Sequence, residues 1–140
     1  MGELKIRTRV TGAFAVLQPG GLPVVTTPTG GTVDVVTSVS APGFNPLDLL
    51  YASLAACMVL SARIAATRLG VAGQLGEVRA HVSGEKAKDE PSRVEKFNIR
   101  LEIAGDLDAA TKRRIVEDAE AICTVSNTLR AAPELHATLG

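Results

Sequence analysis

The chain has 140 residues, with 15 basic and 15 acidic side chains and a formal net charge of zero. That length suits one domain with a moderate core, read here as residues 1–140 without repeats or linkers. Balanced charge argues against a nucleic-acid surface, and with aromatics at 3% and no Trp there is little on which bases could stack. The opening MGELKIRTRV interleaves charges with apolar residues and lacks the apolar block of a signal peptide, so a cytoplasmic location is expected. Met1-Gly2 begins like a myristoylation site, but Ile6 stands where Ser or Thr is needed.

In chain order, Glu3–Val10 alternates apolar and charged residues and predicts a half-buried strand. Ala13–Leu17, Leu22–Thr27 and Val33–Val39 follow as short extended runs. Pro19-Gly20-Gly21 and Pro28-Thr29-Gly30-Gly31 separate them as turns. The first third thus reads as an antiparallel meander. Asn45–Leu69 is a long helix, with Asn45 as cap, Pro46 in the first turn and Gly70 as stop. Between Asp48 and Arg63 it carries no charge; its polar side chains there are Tyr51, Ser53, Cys57 and Ser61. A helix apolar on nearly every face is buried or in a membrane. The uncharged run falls short of the roughly 18 residues of a span, so a buried central helix and no membrane partner are expected.

Glu77–Glu85 and Val94–Ala104 alternate again and form a hairpin across the charged loop Gly84–Arg93, with one wet face. Asp106 or Asp108 can cap a second helix, in which Leu107, Ala110 or Thr111, Ile115, Ala119 and Ile122 recur at helical spacing up to Cys123. Thr124–Asn127 is read as leaving the helix, and Glu134–Leu139 as a last edge strand. The order of elements is that of an α+β fold. One sheet and one amphipathic helix can hardly cover the central helix, so a homodimer is expected to complete its burial.

The chemistry rests on Cys57 and Cys123. Two thiols are too few for a structural zinc site, and His81 and His136 are isolated, so neither a metal nor another cofactor is expected. Cys57, amid Ala and Leu, reads equally as a plain apolar side chain. Cys123 lies at a helix end, whereas it is a helix N-terminus that activates a thiol. The residues themselves leave a two-thiol redox site open.

The segments Asn45–Cys57 (NPLDLLYASLAAC) and Ala119–Leu129 (AEAICTVSNTL) resemble the two cysteine motifs of the OsmC and organic hydroperoxide resistance (Ohr) family. The likeness extends over essentially the whole chain. It implies an intertwined α+β homodimer, with antiparallel sheets wrapped around long central helices. It further implies a thiol peroxidase acting on organic hydroperoxides or hydrogen peroxide. Cys57 would be the peroxidatic thiol and Cys123 the resolving one, and a dithiol reductant such as a lipoyl protein would regenerate the pair. A small-ligand-binding dimer and a thiol redox sensor are the competing readings.

Three departures from that family stand out. Its usual glutamate, ten residues before the first cysteine, is Leu47 here. Asp48, the next residue and about 100° round the helix, is a substitute only if the helix start is shifted, and otherwise a favourable acid in the first turn. The N-terminal arginine has no counterpart in Gly12–Leu17, with Arg7 and Arg9 lying earlier; and the usual Cys-Pro reads Cys123-Thr124. Loss of the Glu/Arg pair implies a poorly stabilised Cys57 thiolate and weak activity.

Overall fold

The computed structural model of the chain describes residues 10–140. The strand expected over Glu3–Val10 lies, but for Val10, outside the described residues, as do Arg7 and Arg9. The chain falls into two compact units, Met1–Leu49 and Leu50–Gly140.

In the first unit, three short strands form the expected antiparallel meander: β1 (Phe14–Val16), β2 (Val24–Thr26) and β3 (Thr32–Asp34). Ala15 faces Val25, and Val25 faces Val33. The third strand is shorter than its Val/Thr-rich sequence predicts. Past Asp34 the Val35 N–H donates to the Pro23 carbonyl at 2.9 Å, just ahead of β2, and Val35 also makes an isolated parallel bridge with Phe44. This unit ends in the start of helix α1 (Pro46–Arg68), whose cap is reciprocal. The Asp48 N–H donates to the Asn45 side-chain oxygen at 2.9 Å, and the Asn45 N–H donates to the Asp48 carboxylate at 3.0 Å. Two backbone donors left free by the helix start are thereby satisfied.

The second unit holds the rest of α1, a single turn of 3-10 helix (Ala72–Gln74), β4 (Leu75–Lys86), β5 (Val94–Gly105), α2 (Ala109–Ile122) and α3 (Thr124–Ala131). β4 and β5 pair antiparallel in the register that alternation predicts. Val78, Ala80 and Val82 face Ile103, Leu101 and Ile99 on the packed side, while Glu85 faces Lys96 on the wet side. Gly84 is required by close approach, because the Tyr51 ring lies where its Cβ would stand. That ring meets Phe97 edge-on at 6.0 Å. Asp108 caps α2 by accepting the Thr111 N–H at 2.7 Å, and Ile115 and Ala119 are fully buried beneath it.

Two expectations at the C-terminal end are corrected. Thr124–Asn127 does not leave a helix; it begins a new one. Cys123 takes extended backbone angles (φ −62°, ψ 109°), which breaks the helical path, and its side chain then caps α3. A short run of Thr, Val, Ser and Asn has little helical propensity of its own. Packing of Val125 and Leu129 on the core supplies what propensity lacks. Glu134–Leu139 forms no strand: it has no regular structure, and Leu135 and Leu139 are exposed.

At 23 residues α1 is by length and composition long and apolar enough to cross a membrane, so the length of its uncharged run does not itself exclude a span. In this unit its Leu54, Met58, Ala62, Ala65 and Ala66 share a core with Val82, Ile115, Ala119 and Cys123. Leu54 is 1% exposed. Truncating it to Ala leaves a cavity, and urea unfolding is expected to show a loss of about 2–5 kcal/mol.

Candidate functional site

Cys57 stands midway along α1, partly exposed, and Cys123 stands at the corner between α2 and α3, fully buried. Both are free thiols, and Cys57 packs against the core cluster that contains Cys123, close enough for each thiol to influence the ionisation of the other. The fold therefore brings together the two cysteines that the sequence separates by two strands and a helix.

The corner at Cys123 does two jobs with one residue. Its own N–H donates to the Ala119 carbonyl at 2.9 Å and finishes α2. Its sulfur accepts the Ser126 N–H at 3.4 Å and opens α3. The first N–H groups of a helix have no partner within it and carry the positive end of the helix dipole. In α3 these are the amides of Thr124, Val125 and Ser126. The Ser126 N–H is the one bonded to the Cys123 sulfur; those of Val125 and Thr124 favour the Cys57 thiolate, and that of Val125 favours the Cys123 thiolate as well.

The two thiols respond in opposite directions. Burial pushes Cys57 up, but the Val125 N–H, the Cys123 thiol, the Ser61 hydroxyl and the Thr124 N–H all favour its thiolate, and the net direction is down. Burial also pushes Cys123 up. The Ser126 and Val125 N–H groups oppose that, whereas the neighbouring Cys57 adds to it both as hydrogen-bond acceptor and as charge, and the net direction is up. The first proton thus leaves Cys57, and Cys123 keeps its own and donates it to the thiolate. The expectation of an unactivated Cys57 took the thiol to lie in an apolar pocket and did not consider a helix beginning after Cys123; the direction found for Cys57 runs against it.

Asp48 is occupied in the α1 capping box, nine residues before Cys57 and on an ideal helix about 180° round from it. Leu47 is exposed on the same first turn. The group that sequence reasoning passed over is Ser61. It lies one turn after Cys57, 3% exposed, in a stretch otherwise nearly free of polar side chains. A buried hydroxyl at that spacing was the available signal. Among the described residues, no three His, Cys, Asp or Glu side chains cluster where they could hold a metal ion. His81 lies on the exposed face of β4, and His136 pairs with Glu134 at 3.0 Å.

A family model described as OsmC-like protein matches residues 39–137. No curated protein matches the chain in sequence. Among solved structures, an OsmC-like protein of Mycoplasma pneumoniae superposes with a TM-score of 0.74 at 20% identity, over 89% of this chain and 89% of that one. An organic hydroperoxide resistance protein of Legionella pneumophila gives 0.67 at 22%, over 88% and 92%. One of Elizabethkingia anophelis gives 0.62 at 20%, over 89% and 91%. At such identities the likeness is one of fold, and the fold is the α+β arrangement that the two cysteine motifs implied.

The pH dependence follows from the two directions. As pH rises, the Cys57 thiolate forms before that of an ordinary thiol, and the Cys123 thiolate forms after it. Alkylation by iodoacetamide, read peptide by peptide, is expected to show a Cys57 midpoint below the usual thiol value and a Cys123 midpoint above it. Ser61→Ala removes one donor and is expected to slow Cys57 alkylation at neutral pH by about 2- to 10-fold, with no change at high pH.

Proposed function

Since the chain belongs to the OsmC-like family, and its two thiols meet at a helix N-terminus, we propose that it is a thiol peroxidase for organic hydroperoxides and hydrogen peroxide. The observation that carries this reading is the asymmetry of the pair. The accessible thiol is the one whose thiolate is favoured, and the buried thiol beside it keeps its proton. An attacking thiol needs access and charge, and a resolving thiol needs proximity.

In the proposed cycle the Cys57 thiolate attacks the terminal peroxide oxygen. The O–O bond breaks, a sulfenic acid forms on Cys57, and an alcohol or water leaves with a proton. Cys123 then attacks the Cys57 sulfur, forming the disulfide and releasing water. An external dithiol, such as a dihydrolipoyl group, returns both cysteines to thiols by exchange and is itself oxidised. Each step uses only sulfur, oxygen and protons. The amides of α3 act before the first step: they raise the share of Cys57 present as thiolate, and as the O–O bond breaks the charge passes to the leaving oxygen, which takes up a proton. A reducing cytoplasm is the proposed setting, since it would keep the pair in its thiol form.

We propose further that the working form is a homodimer. Leu60 and Ile64, one turn apart on α1, are 50% and 43% exposed. They lie apart from the buried Leu54–Met58 face, and a second copy of the chain would cover them.

Two measurements test these readings. With a dithiol reductant, the wild-type protein is expected to turn over tert-butyl hydroperoxide, and Cys57→Ser is expected to lose all turnover. Cys123→Ser is expected to complete one oxidation at Cys57 and then stop; multiple turnover by that variant would reject the resolving role. In sedimentation analysis the wild type is expected at twice the chain mass. Leu60→Glu is expected to weaken association by about 10-fold or more, since it places a charge against an apolar face.

A further inference from the structure

The corner between α2 and α3 is fastened a second time, away from the sulfurs. Arg130, in the last turn of α3, forms an ion pair with Glu120, in the last turn of α2. The Asn127 side-chain amide donates to the Ala121 carbonyl at 3.1 Å. That carbonyl is among the last of α2, where no helical partner remains for it. Both contacts run from α3 back to α2, with Cys123 as the pivot between them.

At 8 residues α3 is too short to hold itself, so its direction is set by what ties it down. Direction matters here because hydrogen bonds weaken steeply as donor and acceptor lose alignment. A small tilt of α3 about Cys123 changes the alignment of the Ser126 N–H on the Cys123 sulfur and moves the first-turn amides relative to Cys57 beside it. The tethers lie at the surface: the Arg130 and Glu120 side chains are 62% and 42% exposed. Such pairs add little to global stability, so their loss would move the helix more readily than it would unfold the protein.

We propose that Asn127 and the Glu120–Arg130 pair are positioning residues: they hold the first turn of α3, bonded to the Cys123 sulfur, in place beside Cys57 and so set the reactivity of Cys57. They touch neither thiol and act only through the placement of α3. The inference rests on the reading of Cys57 as the attacking thiolate.

The test is the pH profile of Cys57 alkylation by iodoacetamide, followed at its own peptide by mass spectrometry. It compares the wild type, Asn127→Ala, Arg130→Ala and the charge-exchanged double variant Glu120→Arg/Arg130→Glu. Melting temperatures confirm that each is folded. Asn127→Ala and Arg130→Ala are each expected to react about threefold or more slowly at neutral pH, with an unchanged limiting rate at high pH; a tenfold loss corresponds to one pH unit of midpoint. The exchanged pair is expected to recover most of the Arg130→Ala loss. Profiles of folded Asn127→Ala and Arg130→Ala that superimpose on the wild type overturn the proposal, as does a loss confined to the high-pH limit, which would report access and not ionisation. Turnover of tert-butyl hydroperoxide by the same preparations separates the two readings. A wild type that alkylates early but turns over no peroxide rejects the peroxidase while the tethering role stands.

Discussion

The site depends on one break in the backbone. Had α2 run on through Cys123, residues 124–126 would have given their N–H groups to carbonyls one turn earlier, and no free amide would face the thiols. Cys123 instead adopts extended angles, and the next three N–H groups come free together. Sulfur is a weak, diffuse acceptor when neutral and a much better one as thiolate. Two of these amides bear on each thiol, so the balance is tipped by the pair itself: Cys123 favours the Cys57 thiolate, and Cys57 in turn disfavours that of Cys123.

The long helix is the platform that makes this possible. Cys57 must lie close enough to α3 to receive its amides, yet keep one side open. An apolar helix packed on one face meets both needs. Leu54, Met58, Ala62, Ala65 and Ala66 press into the core, and three of these five are alanine, which lets neighbouring elements come close. Ser61 lies at the same buried border, one turn after Cys57, where its hydroxyl favours the thiolate. At the other end, the Asn45–Asp48 capping box anchors the helix start. Carboxylate and thiol thus do separate work on one helix.

The fold was largely legible because its signals are periodic. Alternation in Val78–Val82 and Phe97–Ile103 gave the hairpin and its register face, and the Asn45-Pro46 start and Gly70 stop bounded α1 within a residue or two. The two cysteines were legible from the motifs around them. What escaped was α3, and with it the chemistry of the site. Thr124, Val125, Ser126 and Asn127 are individually turn-like or β-prone, and no periodic run long enough to reveal a helix follows them. Their helix exists because Val125 and Leu129 find the core and because Cys123 caps it, and both are tertiary facts. Ser61 escaped for the opposite reason: as a small side chain in an apolar run, it carries no mark of its partner.

Stabilising a thiolate with dipoles has consequences that a charged partner would not have. Among the described residues, the groups that favour the Cys57 thiolate are amides, a hydroxyl and a thiol, none of them a cation. A buried cation must be desolvated with its acid, and each becomes a liability when the other is lost. It would also face a neutral sulfur once Cys57 is oxidised, leaving its charge without a partner at the point in the cycle where Cys123 must move. Neutral donors avoid that penalty. When the thiolate charge is consumed, an amide loses a charge-assisted hydrogen bond, a change of about 1.5–3 kcal/mol, against about 3–5 for a buried charge left without its partner. In the proposed cycle, neutral donors would give up some thiolate stability and leave no uncompensated charge beside the oxidised sulfur. The Cys-Thr sequence at the corner fits that logic, because Thr124 brings an N–H to the first position of α3 where a proline would bring none.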